Sequence, residues 1–493
     1  MSKHMRGNTA PTAMASRNES ASWRTALSDR GEARSGVRKR TRMRYRVAIL
    51  AFIAPTLFGA NSYVQHNLVS DLPGMADQTD ANLVNPWGLA TSSTSPFWVG
   101  NNHSGISTVY NTTGHPFPLA TPLVVTVPAP PAARTSSNPP PAAPTGITFN
   151  DTPGFNVAPG KPALFLFAAE DGTVSGWNAG VDPANAILLV DNSASGAVYK
   201  GLAAANTDSG PMLYATNFNS GAIDVFDANF APVATPGGFT DPALPAGFAP
   251  FNVQRIGRKL YVTYAMQNDQ RHDDVAGIGN GFVDTFDFNG NLLGRLISNG
   301  NLNSPWGLAL APENFGDFSH ALLVGNFGDG TINAYDPCSG DYLGTLNDAN
   351  GQAVSILGLW ALRFGNGHNG GDANTLYFTA GIPGSGAVED HGLFGGIQTA
   401  DSVPPPPPPN MPSSAINVSN FAFTPTPVTV AVGTQVIWTN QDSVGHTIVA
   451  DDNRFGSPVL DNQQTFSQTL TAPGTYSYHC SIHPFMKGKI IVQ

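Results

Sequence analysis

The pentapeptide Pro86-Trp87-Gly88-Leu89-Ala90 returns unchanged as Pro305-Trp306-Gly307-Leu308-Ala309. Four related apolar blocks lie at equivalent places in the chain: Ala143-Pro144-Thr145-Gly146-Ile147, Tyr199-Lys200-Gly201-Leu202-Ala203, Pro250-Phe251-Asn252-Val253 and Leu359-Trp360-Ala361-Leu362. Successive blocks are 51 to 58 residues apart. A period of this size is typical of the blades of a β-propeller.

Strand-like runs follow each block, as in Phe97–Val99 and Ile106–Tyr110. Their alternation of apolar and polar residues predicts strands with one solvated face. Residues 61–398 are therefore predicted to form a six-bladed β-propeller, because a closed ring needs no capping repeats, whereas a stack does. We expect Tyr63–Val69 to add a strand to the last blade. The stretch Val125–Pro144, rich in Pro and Ala, is interpreted as a surface excursion.

A proline run separates the repeats from a second pattern. Six prolines stand between Val403 and Asn410, and because polyproline II is a semi-rigid spacer, residues 399–414 are predicted to be a linker. Between residues 415 and 493, seven or eight short strand-like segments follow one another. So many strands in so few residues favour a two-sheet Greek-key β-sandwich. The predicted fold class of the whole chain is all-β.

Composition agrees with short strands joined by turns. Only 12% of the 493 residues are charged, and the chain has 53 Gly and 41 Pro. The formal net charge is −10, although residues 1–46 hold 12 of the 24 basic residues. The rest of the chain is thus strongly acidic and has no basic footprint for nucleic acid or anionic membrane. We expect neither as a partner.

The N-terminal segment has the pattern of an export signal. Basic residues from Arg38 to Arg46 precede the apolar run Val47–Ala54, which continues to the small pair Gly59-Ala60. A membrane anchor is the alternative, but Pro55 breaks the run and about 20 apolar residues are needed to span. Residues 1–60 are therefore predicted to be a disordered leader and signal peptide. The mature protein would have no membrane span and would be periplasmic or secreted in a bacterium.

The chain has two cysteines, Cys338 and Cys480. An exported chain could join them in a disulfide. We expect no disulfide, because they lie in different predicted domains and Cys480 is better used as a metal-binding thiolate. Cys338 is expected to be partly buried.

The clearest chemical motif lies in the C-terminal domain. Residues 480–486 have the spacing Cys-x-x-His-x-x-Met, and a Gly-His-Thr segment lies upstream at His446. With the Tyr-rich strand before Cys480 and the Trp-x-Asn segment at Trp438, this pattern resembles amicyanin and pseudoazurin, the small blue copper proteins of bacterial electron transfer. The resemblance covers residues 415–493.

The resemblance implies a cupredoxin domain with one type 1 copper ion. His446 and His483 would be its nitrogen ligands, Cys480 its thiolate and Met486 its weak axial ligand. Such a donor set binds both oxidation states of copper without large rearrangement, which suits electron transfer. Zinc is the alternative metal, but Met is a poor zinc ligand. His479 would point to the opposite face of its strand and is not assigned to the metal.

A binuclear centre like that of nitrous oxide reductase would need a second cysteine in the ligand loop. The loop contains Cys480 alone. The sequence therefore predicts a mononuclear site.

The repeats carry weaker signals. Their blocks are similar to NHL-type blades and to a bacterial secreted family with no assigned activity. A polar insertion with His272, Asp273 and Asp274 could bind a cation or act as acid and base, the alternative being a solvated turn. A further set of polar residues follows equivalent strands: Glu170, Asp171, Asn217, Asn326 and Asp329. These residues could meet at one rim of the channel and bind calcium or substrate, the alternative being that they only form turns.

Two functional hypotheses follow. The first is an exported single-electron carrier whose partner is a soluble redox protein and whose propeller is a docking or scaffold domain. The second is a propeller enzyme, an oxidoreductase or hydrolase, with the cupredoxin as electron outlet or accessory domain. The first is preferred, since neither a serine nucleophile motif nor a phosphate-cradling glycine loop stands out. The sequence carries no signal for an oligomeric state.

Overall fold

The computed structural model of this chain describes residues 62–133, 140–384, 388–402, 413–452 and 454–493. The predicted leader and signal, residues 1–60, and the proline run lie outside these ranges. The described residues form strands, with three-residue 3-10 helices at Ser193–Ser195, Gly316–Phe318 and Ala400–Ser402. Within these ranges no helix has the length and apolar character needed to cross a membrane. The prediction of an all-β chain is confirmed.

The strands between residues 62 and 402 are short and follow one another closely. In chain order they are β1 (Tyr63–Ser70), β2 (Gln78–Thr79), β3 (Pro86–Ala90), β4 (Phe97–Asn101), β5 (Ile106–Tyr110), β6 (Val124–Thr126), β7 (Pro144–Phe149), β8 (Asn156–Ala158), β9 (Lys161–Pro162), β10 (Phe165–Ala169), β11 (Thr173–Trp177), β12 (Ile187–Asp191), β13 (Tyr199–Thr207), β14 (Gly210–Asn217), β15 (Ala222–Asp227), β16 (Phe248–Ile256), β17 (Lys259–Met266), β18 (Phe282–Phe286), β19 (Leu292–Ser298), β20 (Pro305–Leu310), β21 (Leu322–Asn326), β22 (Ile332–Tyr335), β23 (Tyr342–Thr345), β24 (Leu359–Phe364), β25 (Leu376–Ala380) and β26 (Leu393–Thr399).

These strands form six sheets, numbered here one to six, and a separate β8–β9 hairpin. Sheet one is β3-β4-β5-β6, sheet two β7-β10-β11-β12, sheet three β13-β14-β15, sheet four β16-β17-β18-β19 and sheet five β20-β21-β22-β23. Sheet six is β24-β25-β26-β1-β2. Tyr63 of β1 pairs antiparallel with Thr399 of β26, so the prediction that this segment adds a strand to the last sheet is confirmed.

The first strand of each sheet contacts the first strand of the next sheet. The order is β3, β7, β13, β16, β20 and β24, and β24 in turn contacts β3. Hydrophobic side chains fill the space between neighbouring sheets, as where Trp98 of sheet one stacks on Phe165 of sheet two at 4.3 Å between ring centroids. The predicted propeller requires such a cyclic order of sheets.

The glycine in the repeat block explains how closely these first strands approach. A Cβ atom on Gly88 would stand 2.4 Å from the carbonyl oxygen of Thr145, and one on Gly307 would stand 2.6 Å from that of Trp360. Neither position has room for a side chain. Glycine is therefore required where one first strand crosses the next.

Tryptophans of three repeat blocks meet at one point. Trp87 stacks on Trp360 with 3.5 Å between ring centroids, and Trp306 meets Trp360 edge-on at 5.9 Å. The indole N–H of Trp360 donates to Asn85 Oδ1 and that of Trp306 donates to the backbone oxygen of Lys200, both at 3.2 Å. The three tryptophans come from sheets one, five and six, so repeat positions that are far apart in sequence converge in space.

The C-terminal residues form a two-sheet sandwich. Its strands are β27 (Ser413–Ser419), β28 (Ala422–Thr424), β29 (Val428–Val430), β30 (Thr434–Asn440), β31 (Val449–Ala450), β32 (Thr465–Leu470), β33 (Gly474–His479) and β34 (Lys487–Val492). One sheet is β28-β27-β30-β32 and the other is β29-β34-β33-β31. Buried and less buried residues alternate along β30, as period-2 sequence predicts. Trp438 and Tyr478 pack edge-to-face at 5.4 Å in the core between the sheets.

Three local predictions are wrong. Val125 is not part of a surface excursion but a buried residue of β6, because its β-branched run pairs with β5. Cys338 is exposed, since its backbone N–H donates to Asp336 Oδ1 in a surface turn. The segment from His446 to Val449 is one of the strand-like segments predicted for the C-terminal domain, but His446 lies outside a regular strand, since only Val449 of this segment belongs to β31. Both cysteines are free thiols.

Candidate metal centre in the C-terminal domain

His446, Cys480, His483 and Met486 come from two loops of the sandwich. His446 lies between β30 and β31, where it exchanges backbone hydrogen bonds with Leu460. Cys480 directly follows β33, and the other two lie in the loop that leads to β34. Cys480 N donates to Met486 O at 3.2 Å and Met486 N donates to His483 O at 2.9 Å, which closes this loop into a tight turn. One short segment thus presents three of the four predicted ligands.

Three donor atoms form a compact triangle. Cys480 Sγ lies 3.8 Å from His446 Nδ1 and 3.8 Å from His483 Nδ1, and the two nitrogens are 3.2 Å apart. A point equidistant from the three atoms lies about 2.1 Å from each of them, close to the bond lengths of about 2.0–2.3 Å that imidazole and thiolate make to a first-row metal. The three residues can therefore hold one metal ion. Met486 is 2% exposed and packs in the same core as Cys480.

Thr447 holds the thiol of Cys480 in place. The backbone N–H of Thr447 donates to Cys480 Sγ at 3.3 Å. The Thr447 hydroxyl accepts the backbone N–H of Ser481 at 2.7 Å, so it ties the two ligand loops together. An N–H donor aimed at sulfur favours the thiolate over the thiol, which is the form that binds metal.

Asp442 orients the imidazole of His446. Its Oδ2 lies 3.0 Å from His446 Nε2, which leaves Nδ1 free to face the thiol. Burial would raise the pKa of Asp442, but N–H groups of Phe421 and Asn420 and the imidazole of His446 outweigh it and hold that pKa below its usual range. Asp442 is not among the residues predicted from the sequence, where its only signal is an acidic side chain four positions before a predicted ligand.

We expect Asp442→Asn to weaken copper binding about 10- to 100-fold, because the imidazole loses the carboxylate that orients it and strengthens it as a donor. Competition against a chelator of known affinity measures the effect. Asp452→Asn is the matched control, since Asp452 is a surface carboxylate of the same domain that pairs with Arg454. Equal copper affinity of Asp442→Asn and the control would contradict the orienting role.

One edge of the centre reaches the surface. His446 and Cys480 are fully buried, whereas His483 is only partly buried. The ring of Phe421 stands edge-on to His483 at 5.0 Å between centroids, and the exposed fraction of Phe485 is 70%. His483 therefore lies at an apolar patch, defined by Phe421, Ile482 and Phe485, all of which are exposed.

His479 does not join the donor triangle. Its Nδ1 lies 2.7 Å from Asp451 Oδ1 at the surface of the domain. This agrees with its assignment to the opposite face of the strand.

A second polar cluster lies among the six sheets. Ligand-type atoms of Glu170, His272 and Asp273 lie within 4.8 Å of one another. The ammonium group of Lys200, which is 2% exposed, forms an ion pair with Glu170 and lies 3.7 Å from Asp273 Oδ1. Lys200 already supplies a cation to these carboxylates. The cluster therefore gives no support to the predicted calcium site.

The other oxygen-bearing residues of the predicted rim serve turns. Asp171 and Asp329 each accept hydrogen bonds from the backbone and hydroxyl of the threonine two residues further on. Asn217 accepts the backbone N–H of Ser220, and Asn326 donates to a backbone oxygen of the preceding loop. The structure favours the turn-forming alternative for these four residues.

Comparisons with known proteins show what the C-terminal region is similar to. The family described as cupredoxin-like domain matches residues 400–492. Amicyanin-alpha of Methylorubrum extorquens is 34% identical over 86 residues, which are 16% of this chain and 72% of that protein. Amicyanin of Paracoccus denitrificans is 31% identical over 83 residues, 16% of this chain and 63% of that protein. The family match contains all four residues of the candidate centre.

A longer similarity involves the six sheets. An uncharacterized protein of Acanthamoeba polyphaga mimivirus is 34% identical over 325 residues, which are 64% of this chain and 76% of that protein. An alignment of this length cannot fit within residues 400–492. The region before the C-terminal domain therefore has relatives of its own.

Proposed function

We propose that this protein, whose C-terminal part belongs to the cupredoxin family, is an exported electron carrier with one type 1 copper ion. The chain also shares a second family with an uncharacterized mimivirus protein. The observation that carries the proposal is the triangle of Cys480 Sγ and the two Nδ1 atoms of His446 and His483. Met486, buried beside them, would be the weak axial ligand. When bound, copper supplies a site that takes up and gives back a single electron.

The protein's own contribution is a donor set fixed by hydrogen bonds. Asp442 orients His446, and Thr447 holds Cys480 and Ser481. Side chains held in this way move little when the charge of the centre changes, so the reorganisation that opposes electron transfer is small. Burial of Cys480 also keeps water and oxidants from the thiolate.

Copper is a better fit than zinc. Structural zinc sites use four imidazole, thiolate or carboxylate ligands, and the thioether of Met486 is none of these. A trigonal His, His, Cys set with a long axial Met is instead diagnostic of blue copper. The single cysteine in the loop supports one copper ion rather than two.

The electron would pass through the exposed edge of His483. This residue lies at the apolar patch of Phe421, Ile482 and Phe485, which is a suitable contact surface for a soluble redox protein. Close approach of a partner at this patch would place its redox group near the centre without moving the buried ligands.

The six sheets would form a six-bladed β-propeller that serves as a docking or scaffold domain. The cyclic contacts of their first strands and the meeting of Trp87, Trp306 and Trp360 support this arrangement. Support for export comes from the basic and apolar pattern of residues 38–60. The proposed location is the periplasm or the exterior of a bacterium.

Titration of the metal-free protein with Cu(II) tests the metal assignment. We expect an intense visible band that saturates at one equivalent of copper, disappears on reduction with ascorbate and returns on reoxidation, because the ligand is a buried thiolate. Zn(II) should produce no band. Saturation only at two equivalents, or a protein that stays colourless with Cu(II), would rule out a mononuclear type 1 centre.

A further inference from the structure

A cavity of about 440 Å³ lies among the six sheets, toward the carboxyl ends of several first strands. Its volume is within the range of about 300–1,000 Å³ that is usual for small-molecule sites. The lining residues come from sheets one, two, three, four and six. The cavity is therefore built by several sheets rather than by one loop.

Arg363 of β24 lines this cavity. Its Nε donates to Thr91 Oγ1 at 3.0 Å and its Nη2 donates to Thr91 O at 3.1 Å. Among the described residues, no protein group accepts a hydrogen bond from Nη1 and no carboxylate forms an ion pair with Arg363. Burial lowers the pKa of Arg363 to about 10, so the guanidinium is still charged at neutral pH. Arg363 is only partly buried, but a partly desolvated cation without a counter-ion loses solvation, and an anion in the cavity would offset that loss.

The other arginine at the cavity is already neutralised. Arg255 Nη2 lies 2.5 Å from Asp151 Oδ2, and both side chains are about one-third to two-fifths exposed, at 33% and 41%. This pair closes one side of the cavity without adding net charge. The cavity therefore offers a single positive charge, which matches a monoanion better than a dianion such as phosphate.

The remaining walls differ in character. Leu89, Ile147 and Leu202 give the cavity an apolar side. Gln254 lines it as a neutral hydrogen-bonding group, whereas the side chain of Asn366, also in the lining, is engaged by backbone groups of its own and a neighbouring loop. A ligand with a hydrocarbon part and one carboxylate would satisfy both kinds of wall.

We infer that this cavity binds a small organic monocarboxylate, with its carboxylate on Arg363 and its hydrocarbon part against Leu89, Ile147 and Leu202. Arg363 also joins sheet six to Thr91 of sheet one through its two hydrogen bonds. These bonds fix the plane of the guanidinium and direct its remaining N–H groups away from Thr91, so the structural link and the binding role use different donors of one side chain. The inference does not depend on the copper centre.

Calorimetric titration of the full chain with benzoate tests this inference. We expect saturable binding of benzoate, at least about tenfold weaker binding of the uncharged isostere benzamide, and a loss of about tenfold or more in Arg363→Gln, because a hydrogen-bonded charge pair is lost. Arg258→Gln is the matched control, since Arg258 is exposed, lies outside the cavity and changes the net charge equally. Its benzoate affinity should equal that of the unchanged protein.

Gln254→Trp provides a second variant in case Arg363→Gln does not fold. The larger side chain would fill part of the cavity while both partners of the Arg363–Thr91 hydrogen bonds stay unchanged, so benzoate binding should be lost. Equal affinity for benzoate and benzamide, no binding of benzoate, or unchanged binding in both variants would overturn the inference. Tighter binding of inorganic phosphate than of benzoate would overturn the assignment to a monocarboxylate.

Discussion

The Cys480→Ser variant is expected to stay colourless when copper is added, and its copper affinity should fall by several orders of magnitude. The reason is that Cys480 Sγ is the corner shared by both 3.8 Å edges of the donor triangle, and a serine hydroxyl is neither a thiolate nor a charged donor at neutral pH. Visible absorption of the oxidised protein beside a copper competition assay measures both effects.

The matched control for this variant is Cys338→Ser. Cys338 is the other free thiol, it is exposed, and it lies outside the C-terminal domain. This control should keep the full intensity of the visible band and the same affinity. If Cys338→Ser lost the band, or if Cys480→Ser kept it, the thiolate would have been assigned to the wrong cysteine.

The second large effect is expected from Lys200→Met, which should destabilise the six-sheet region by about 3–5 kcal/mol. The substitution leaves the carboxylate of Glu170, whose side chain is 13% exposed, without its cation, and a stranded charge with little solvent contact costs about this much. Chemical denaturation of the full chain, followed by tryptophan fluorescence, measures the change. Lys259→Met, at an exposed position, should change the stability by less than about 0.5 kcal/mol.

A double variant distinguishes a stranded charge from simple loss of packing. Adding Glu170→Gln to Lys200→Met should restore part of the stability, because the double variant no longer buries an unpaired carboxylate. If the double variant were as unstable as the single one, the ion pair would not explain the loss.

The pH dependence of Lys200→Met has a definite sign. Burial already raises the pKa of Glu389 to about 7 and raises that of Asp274, while the charge of Lys200 opposes both shifts. Without Lys200, the pKa values of Glu389 and Asp274 in the folded state rise further above their values in the unfolded state. The folded state then binds more protons than the unfolded state does, so the stability falls as pH rises. The destabilisation should therefore be smaller at about pH 5 than at about pH 8. The opposite trend would contradict the role of Lys200 as counter-ion.

Local sequence patterns predicted the strands well because strand alternation and turn residues are local properties. The first strands of the sheets coincide with the repeat blocks around Trp87, Trp306 and Trp360. The same patterns misassigned Val125, since proline and alanine that follow it concealed a short strand. The prediction that Cys338 is partly buried was wrong because burial depends on what packs over a turn, which the residue's own type does not show.

The candidate metal centre, like the fold, could be predicted from the sequence only in part. The candidate ligands could be predicted from the sequence because three of the four lie in one heptapeptide with a characteristic spacing, and the structure brings His446, Cys480 and His483 together. Asp442 was missed because a carboxylate near a ligand is also common in solvated turns. Lys200 beside Glu170 and Arg363 beside Thr91 are contacts between separate sheets, and such contacts cannot be read from spacing along the chain.

The pairing of β1 with β26 governs the order in which the chain can fold during synthesis. Residues 63–70 leave the ribosome first among the strands, yet their partners at 393–399 emerge more than 300 residues later. Until then β1 can pair only with the two residues of β2, and its pairing with β26, which has the larger sequence separation, forms later. The last of the six sheets therefore stays incomplete until residues 393–399, which stand just before the segment that leads to the C-terminal domain, have been made.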